Sequence, residues 1–313
     1  MNNQFKSIRV ITLSIIALSG AVLSCTDTLE IEAELNSIVD DKELVDSSML
    51  NTKVATSNSV CTTAGTNTTR EYTFTGDVNS SINTKIDDRT CTYNYTQLTE
   101  NGIIKGVYKI KANSNHMDDL QPRIERASPV VSNVKNGNYV SFSGYITINR
   151  AGHVAGQNIS TTSVKNQSGT YIIQAKGKHS GGGGSKDPAI CLLRAVPRFT
   201  GNTQSSFDIY REEITTRGGI GLSGRQLIFL KNIPANVRTK ITLKTGFELK
   251  GVAPNEFLNH YVNITIGTST YNWDVPEPSK ALQAKYRFGA YRVKGGEAEI
   301  KWDNVTREFV NTP

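Results

Sequence analysis

The chain has 313 residues, with 35 Lys and Arg against 28 Asp and Glu and a formal net charge of +7. A hydrophobic fraction of 37% with only 9 Pro excludes a disordered, collagen-like or polytopic membrane chain. Four Cys and four His, with no pair at metal-ligand spacing, exclude the common zinc modules and give no nucleophilic-cysteine setting.

Lys6 and Arg9 precede an apolar run over residues 10–23, and Ser24-Cys25 follows. That order predicts an export leader over residues 1–24, because the run falls short of the roughly 20 residues a membrane-spanning helix needs. Val22-Leu23-Ser24-Cys25 is similar to the bacterial lipobox, so Cys25 is the expected lipidation site and mature N-terminus; a plain secretory leader is the alternative. The expected location is an outer-membrane lipoprotein, the cell surface or the medium, where nucleic acid is not a partner. Residues 25–51 carry eight acids against Lys42 and predict a solvated tether between lipid and domain. With +2 in the leader and −7 in the tether, +12 remains from residue 52 onward. A domain that basic suits a polyanion, an acidic polysaccharide first and an anionic lipid surface second. Cys61 and Cys91 lie in polar, loop-like segments and can form a disulfide outside the inner membrane. Cys191, inside an apolar run, reads as a small buried thiol.

From about residue 52, short alternating runs separated by Gly, Asn, Ser and Asp clusters predict strands. They fall near 72–74, 106–112, 139–149, 170–178, 190–196, 207–211, 226–230, 240–249, 261–266, 285–293 and 297–305. No stretch there carries a long helical period. Residues 52–313 therefore predict one all-β domain of jelly-roll or barrel size, and a monomer is expected. The glycine run at 181–184 predicts a mobile loop.

Four stretches carry the chemistry. In Gln121–Arg126, Arg123 and Glu125 share one strand face. In the run from Thr170 to His179, alternation puts Gln174, Lys176 and Lys178 on one face and Tyr171, Ile173 and Ala175 on the other. The next strand, after the glycine loop, offers Arg194. Near the C-terminus, Lys285, Arg287, Gly289 and Tyr291 share a face, and Tyr286, Phe288 and Ala290 form an apolar one. A missing side chain at Gly289 leaves room against that strand between Arg287 and Tyr291.

The stretch Lys285-Tyr286-Arg287-Phe288-Gly289-Ala290-Tyr291 resembles the Tyr-Phe-Lys-Ala-Gly-x-Tyr strand of the jelly-roll polysaccharide lyases. Arg287 stands at the Lys position and Tyr291 at the catalytic Tyr. Arg123-x-Glu125 and Gln174-x-Lys176 follow in the order of that family's Arg-x-Glu and Gln-x-His strands. Lys176 replaces the His of the alginate lyases, and a Lys/Tyr pair is most similar to the ulvan lyases, polysaccharide lyase family 28. The resemblance covers most of residues 105–305. It implies a β-jelly roll of two antiparallel sheets with a concave substrate cleft, acting on ulvan, in which sulfated rhamnose alternates with uronic acid. Alginate or glucuronan is the nearest alternative substrate.

Such lyases act by β-elimination: a base takes the C5 proton of a uronate, an acid protonates O4, and the carboxylate is neutralised. The resemblance implies Lys176 and Tyr291 as base and acid, in either order, or Tyr291 in both roles. Gln174 and Arg287 would hold the carboxylate, and Arg123, Glu125, Lys178, His179, Arg194 and Lys285 would complete the substrate contacts. Like-charge neighbours would favour the neutral form of Lys176, with His179 and His153 as further candidate bases. No organic cofactor is required; a structural Ca²⁺ is compatible with the fold, although no cluster of oxygen ligands stands out. A non-catalytic carbohydrate-binding jelly roll is the blander alternative, with Tyr139, Tyr145, Trp273 and Trp302 as stacking platforms or core. A glycoside hydrolase would need opposed carboxylates such as Glu125 with Glu212 or Glu213.

Overall fold

The computed structural model describes residues 70–73, 85–88, 95–111, 123–157, 169–180, 189–217, 224–291 and 296–313. The predicted leader and tether, Cys25, Cys61, Cys91 and the 181–184 glycine run lie outside them. Among the described residues the chain forms fifteen strands and includes a 3-10 turn at Pro278–Lys280. The strands are β1 Arg70–Thr73, β2 Lys85–Asp88, β3 Thr96–Glu100, β4 Ile103–Ile110, β5 Arg123–Ala127, β6 Tyr139–Arg150, β7 Thr170–Lys176 and β8 Ala189–Thr200. They continue as β9 Thr203–Ile214, β10 Arg225–Pro234, β11 Thr239–Lys250, β12 Phe257–Ile266, β13 Ser269–Asp274, β14 Lys285–Tyr291 and β15 Ala298–Val310.

Two antiparallel sheets result, in the orders β1-β2-β5-β14-β7-β8-β9-β10 and β13-β12-β11-β6-β15-β4-β3. The chain passes between the sheets repeatedly, and its last two strands insert one into each sheet, β14 between β5 and β7 and β15 between β6 and β4. This is the expected jelly roll. Alternation explains most of it: β6 sends Val140, Phe142, Ile146 and Ile148 inward and leaves Tyr139, Ser141, Ser143 and Tyr145 half-buried outside. β3 had no strong strand signal of its own, but Asn101-Gly102, with φ of 53° and 74°, makes the two-residue turn that pairs it with β4.

The core joins β14 to the opposite sheet. Phe288 packs 4.8 Å from Phe142 and 5.7 Å from Trp302, ring centre to ring centre, and all three are buried. Trp302 is thus core, and Cys191 is a buried free thiol whose pKa burial pushes upward. Because Tyr286, Phe288 and Ala290 point inward, Lys285, Arg287 and Tyr291 must point outward, on the far side of the eight-stranded sheet.

Candidate active site

That outer face can be read in rows from the strand register. One row runs Arg123, Tyr291, Tyr171, Arg194 across β5, β14, β7 and β8. The next runs Arg287, Gln174, Leu192, Glu212 across β14, β7, β8 and β9. A third sets Lys285 opposite Lys176, with Ala189 beyond. Gln174, Lys176, Lys285 and Tyr291 are all buried, as are Tyr171, Arg194 and Glu212, while Arg123 and Arg287 are half-buried. These side chains carry six cations, counting Arg225 on β10, against the carboxylates of Glu125 and Glu212. The face is therefore electropositive, as a polyanion site requires.

Glu125 stands directly opposite Gly289 on β14. The Gln174 amide donates to the Glu125 carboxylate, and since β14 separates β5 from β7, that bond crosses β14 where Gly289 presents no side chain. The gap expected at Gly289 is thus spanned by the protein's own hydrogen bond. Gly289 also has φ of 143°, and a Cβ there would meet the Ile124 carbonyl oxygen at 2.2 Å. The glycine is a backbone requirement. Glu125 holds Gln174, leaving the rest of the amide to face a ligand.

Tyr171 corrects the simple alternation. A β-bulge shifts the β7–β8 register between Tyr171 and Ile173, so Ile172 and Ile173 both enter the core while Tyr171 turns outward. Its ring lies 5.7 Å from that of Tyr291, tilted by 36°. On the other side, the Arg123 guanidinium sits 4.5 Å from the Tyr291 ring centre. The Tyr171 hydroxyl donates to Glu212, whose Oε2 also lies 3.5 Å from Arg194 Nη1. Sequence alternation did not reach Tyr171 as a site residue, and Glu212 appeared only as a candidate hydrolase carboxylate.

Lys176 and Tyr291 share this face but not a row. Five residues of β7 separate the two rows, about 15 Å along the strand, with the Gln174–Arg287 row between them. Lys178 and His179 lie past the end of β7. Lys178 is exposed and its carbonyl accepts from the Leu282 N–H, while His179 pairs in a lone bridge with Ala281. Gly177, the residue after β7, packs against the Gln283 carbonyl, where a Cβ would come within 2.3 Å. His153 is buried beside Phe199, and that burial lowers its pKa. Tyr139 and Tyr145 are on the opposite sheet, under Lys244 and Arg238 respectively. Glu125 and Glu212 are engaged with Gln174 and with Tyr171 and Arg194, an arrangement unlike the opposed free carboxylates of a hydrolase. Among the described residues, no three or more His, Cys, Asp or Glu side chains are grouped to hold a metal ion.

The family model of the PL28 ulvan lyases matches residues 44–311. The chain belongs to that family. This PL28 chain is 44% identical to an endo-acting ulvan lyase of Formosa agariphila, over 80% of its own length and 47% of the relative's. It is 40% identical to ulvan lyase NLR42 of Nonlabens ulvanivorans, over 78% of its length and 45% of the relative's. It thus spans about half the length of the curated relatives it matches. A PL7 alginate lyase structure, AlyA1 from Zobellia galactanivorans, is 12% identical over 70% of the PL28 chain and 83% of that chain, with a TM-score of 0.47. A likeness that distant carries no functional assignment.

Proposed function

We propose that this PL28 chain is an exported lyase that cleaves ulvan by β-elimination on the outer face of its eight-stranded sheet. The observation that carries the reading is that Gln174, Lys176, Arg287 and Tyr291 all stand on that face, in three separate rows, in a chain whose family is that of the ulvan lyases. In the reaction the C5–H and C4–O4 bonds break and a C4=C5 double bond forms. One proton leaves C5 for the base, one reaches O4 from the acid, and no water is consumed.

The middle row supplies the carboxylate site. Arg287 and the Gln174 amide, fixed by Glu125, hold the uronate so that charge building on the carboxylate meets donors already in place. With the sugar lying across that row, the long Lys176 side chain has to reach along the strand from one side, as the neutral amine that takes the C5 proton, because its row and that of Tyr291 are five residues of β7 apart. Tyr291 approaches from the other as the phenol that protonates O4. Lys285 and Arg123 flank the two and suit the sulfate and carboxylate groups of neighbouring sugars. Export with lipidation at Cys25 would set this site where the polymer is met.

Incubation of the purified protein with ulvan, alginate, glucuronan and glycosaminoglycans, followed by ultraviolet absorbance of the conjugated double bond, tests the reading. Absorbance should rise with ulvan; binding of ulvan without any new absorbance would leave a carbohydrate-binding module instead.

A further inference from the structure

The contacts around Tyr291 extend beyond the groups that would touch a sugar. Tyr171 faces Tyr291 only because β7 bulges at Ile172, a distortion that interrupts the sheet ladder to re-aim one side chain. The Tyr171 hydroxyl then reaches across β8 to Glu212 on β9. Glu212 is 1% exposed, and its cationic neighbours are loosely placed, Arg194 at 3.5 Å and Arg225 at 3.9 Å. Buried ion pairs of that geometry contribute little net stability, because desolvation offsets their attraction. A carboxylate retained in such a place, with a phenol tethered to it, calls for a different explanation.

We propose that Tyr171 and Glu212 are positioning residues for Tyr291, an inference that rests on the reading of Tyr291 as proton donor. Glu212 fixes the Tyr171 hydroxyl and so the plane of the Tyr171 ring. That ring and the Arg123 guanidinium bracket the Tyr291 ring from two sides and limit its rotation. The phenolic hydroxyl is thereby aimed before the polymer arrives, so less of the binding energy goes into ordering it. Glu212 accepts from the Tyr171 hydroxyl, with Arg194 and Arg225 on its other sides.

The test compares Tyr171→Phe, which keeps the ring and loses the tether, with Glu212→Gln, which keeps an acceptor and loses the charge. Steady-state kinetics on ulvan, the melting temperature and polymer binding are measured for each, and in the Tyr291→Phe background. Tyr171→Phe should lower kcat about 10- to 100-fold with KM within about twofold, measured well below a melting temperature that falls only modestly as the buried Glu212 loses one donor. Glu212→Gln should fall between it and the wild type. On top of Tyr291→Phe neither change should cost further rate, since residues acting as a unit are not additive. Wild-type kcat in both folded variants overturns the inference, as does a loss of kcat that only follows a lost melting temperature. If Tyr171→Phe does not fold, Glu212→Gln carries the same comparison. Should Tyr291→Phe itself keep full activity, the underlying reading fails, and that result is distinct from wild-type rates in Tyr171→Phe alone.

Discussion

Lys176 is buried on the outer face, opposite Lys285 and one row from Gln174. If it takes the C5 proton, Lys176→Met should abolish turnover and leave polymer binding measurable, because Arg287, Arg123 and Gln174 remain. Ulvan affinity measured by gel retardation beside initial rates checks this; full activity in Lys176→Met would move the proton transfer to Tyr291 alone. The residue types at 123, 125, 174, 176, 287 and 291 were legible from alternation and family likeness. Their contacts were legible only in part. That Glu125 grips Gln174 follows from Gly289 facing Glu125, a register no single stretch reveals.

At the scale of the element, two irregularities shape the site. The bulge at Ile172 is invisible in a pattern of alternating side chains, because Ile172 and Ile173 are both apolar and either suits the core. It carries Tyr171 from the predicted inner face to the outer one. Gly289, by contrast, was visible as a gap, but its reason lies in the backbone. Gly289→Ala should destabilise the fold by at least about 2 kcal/mol, as an L side chain is strained at φ 143° and its Cβ would strike Ile124. Chemical denaturation reads this directly, and an unchanged midpoint would refute it. β13 and β3 escaped prediction because they are short, polar edge strands, whose place comes from their turns and neighbours.

Buried polar groups set the response of the whole molecule to pH. His260 is enclosed, with its Nδ1 accepting from Arg217 Nη2 at 2.5 Å and its Nε2 3.3 Å from the Thr245 hydroxyl. Arg217 in turn holds the Pro276 carbonyl and Glu277, so this cluster fastens the segment that runs toward β14. Burial first, and the Arg217 charge second, hold the His260 pKa well below its usual 6.5. The folded state therefore binds fewer protons than the unfolded chain below pH 6.5, and stability falls as pH drops through that range. Glu100, whose pKa is lowered to about 2 chiefly by Lys105 and Lys301, adds a smaller loss at more acid pH because its side chain is more than a third exposed and solvent screens the pairs. Melting temperatures from pH 7 downward should show the first decline, and His260→Gln should remove it; a flat profile in the wild type would contradict the assignment.

The charge of +12 beyond the tether predicts that ulvan binding weakens steeply with added salt, since much of the attraction between exposed charges is screened at physiological ionic strength. Affinity that ignores salt would mean that the basic face is not where the polymer lies. The most direct check on the whole account is the initial rate of double-bond formation from ulvan by Tyr291→Phe beside the wild type, both at saturating polymer. Loss of one hydroxyl should lower that rate about 100-fold or more while the melting temperature stays within about a degree, as no buried packing is removed. Rates equal to wild type would place the chemistry elsewhere on the molecule.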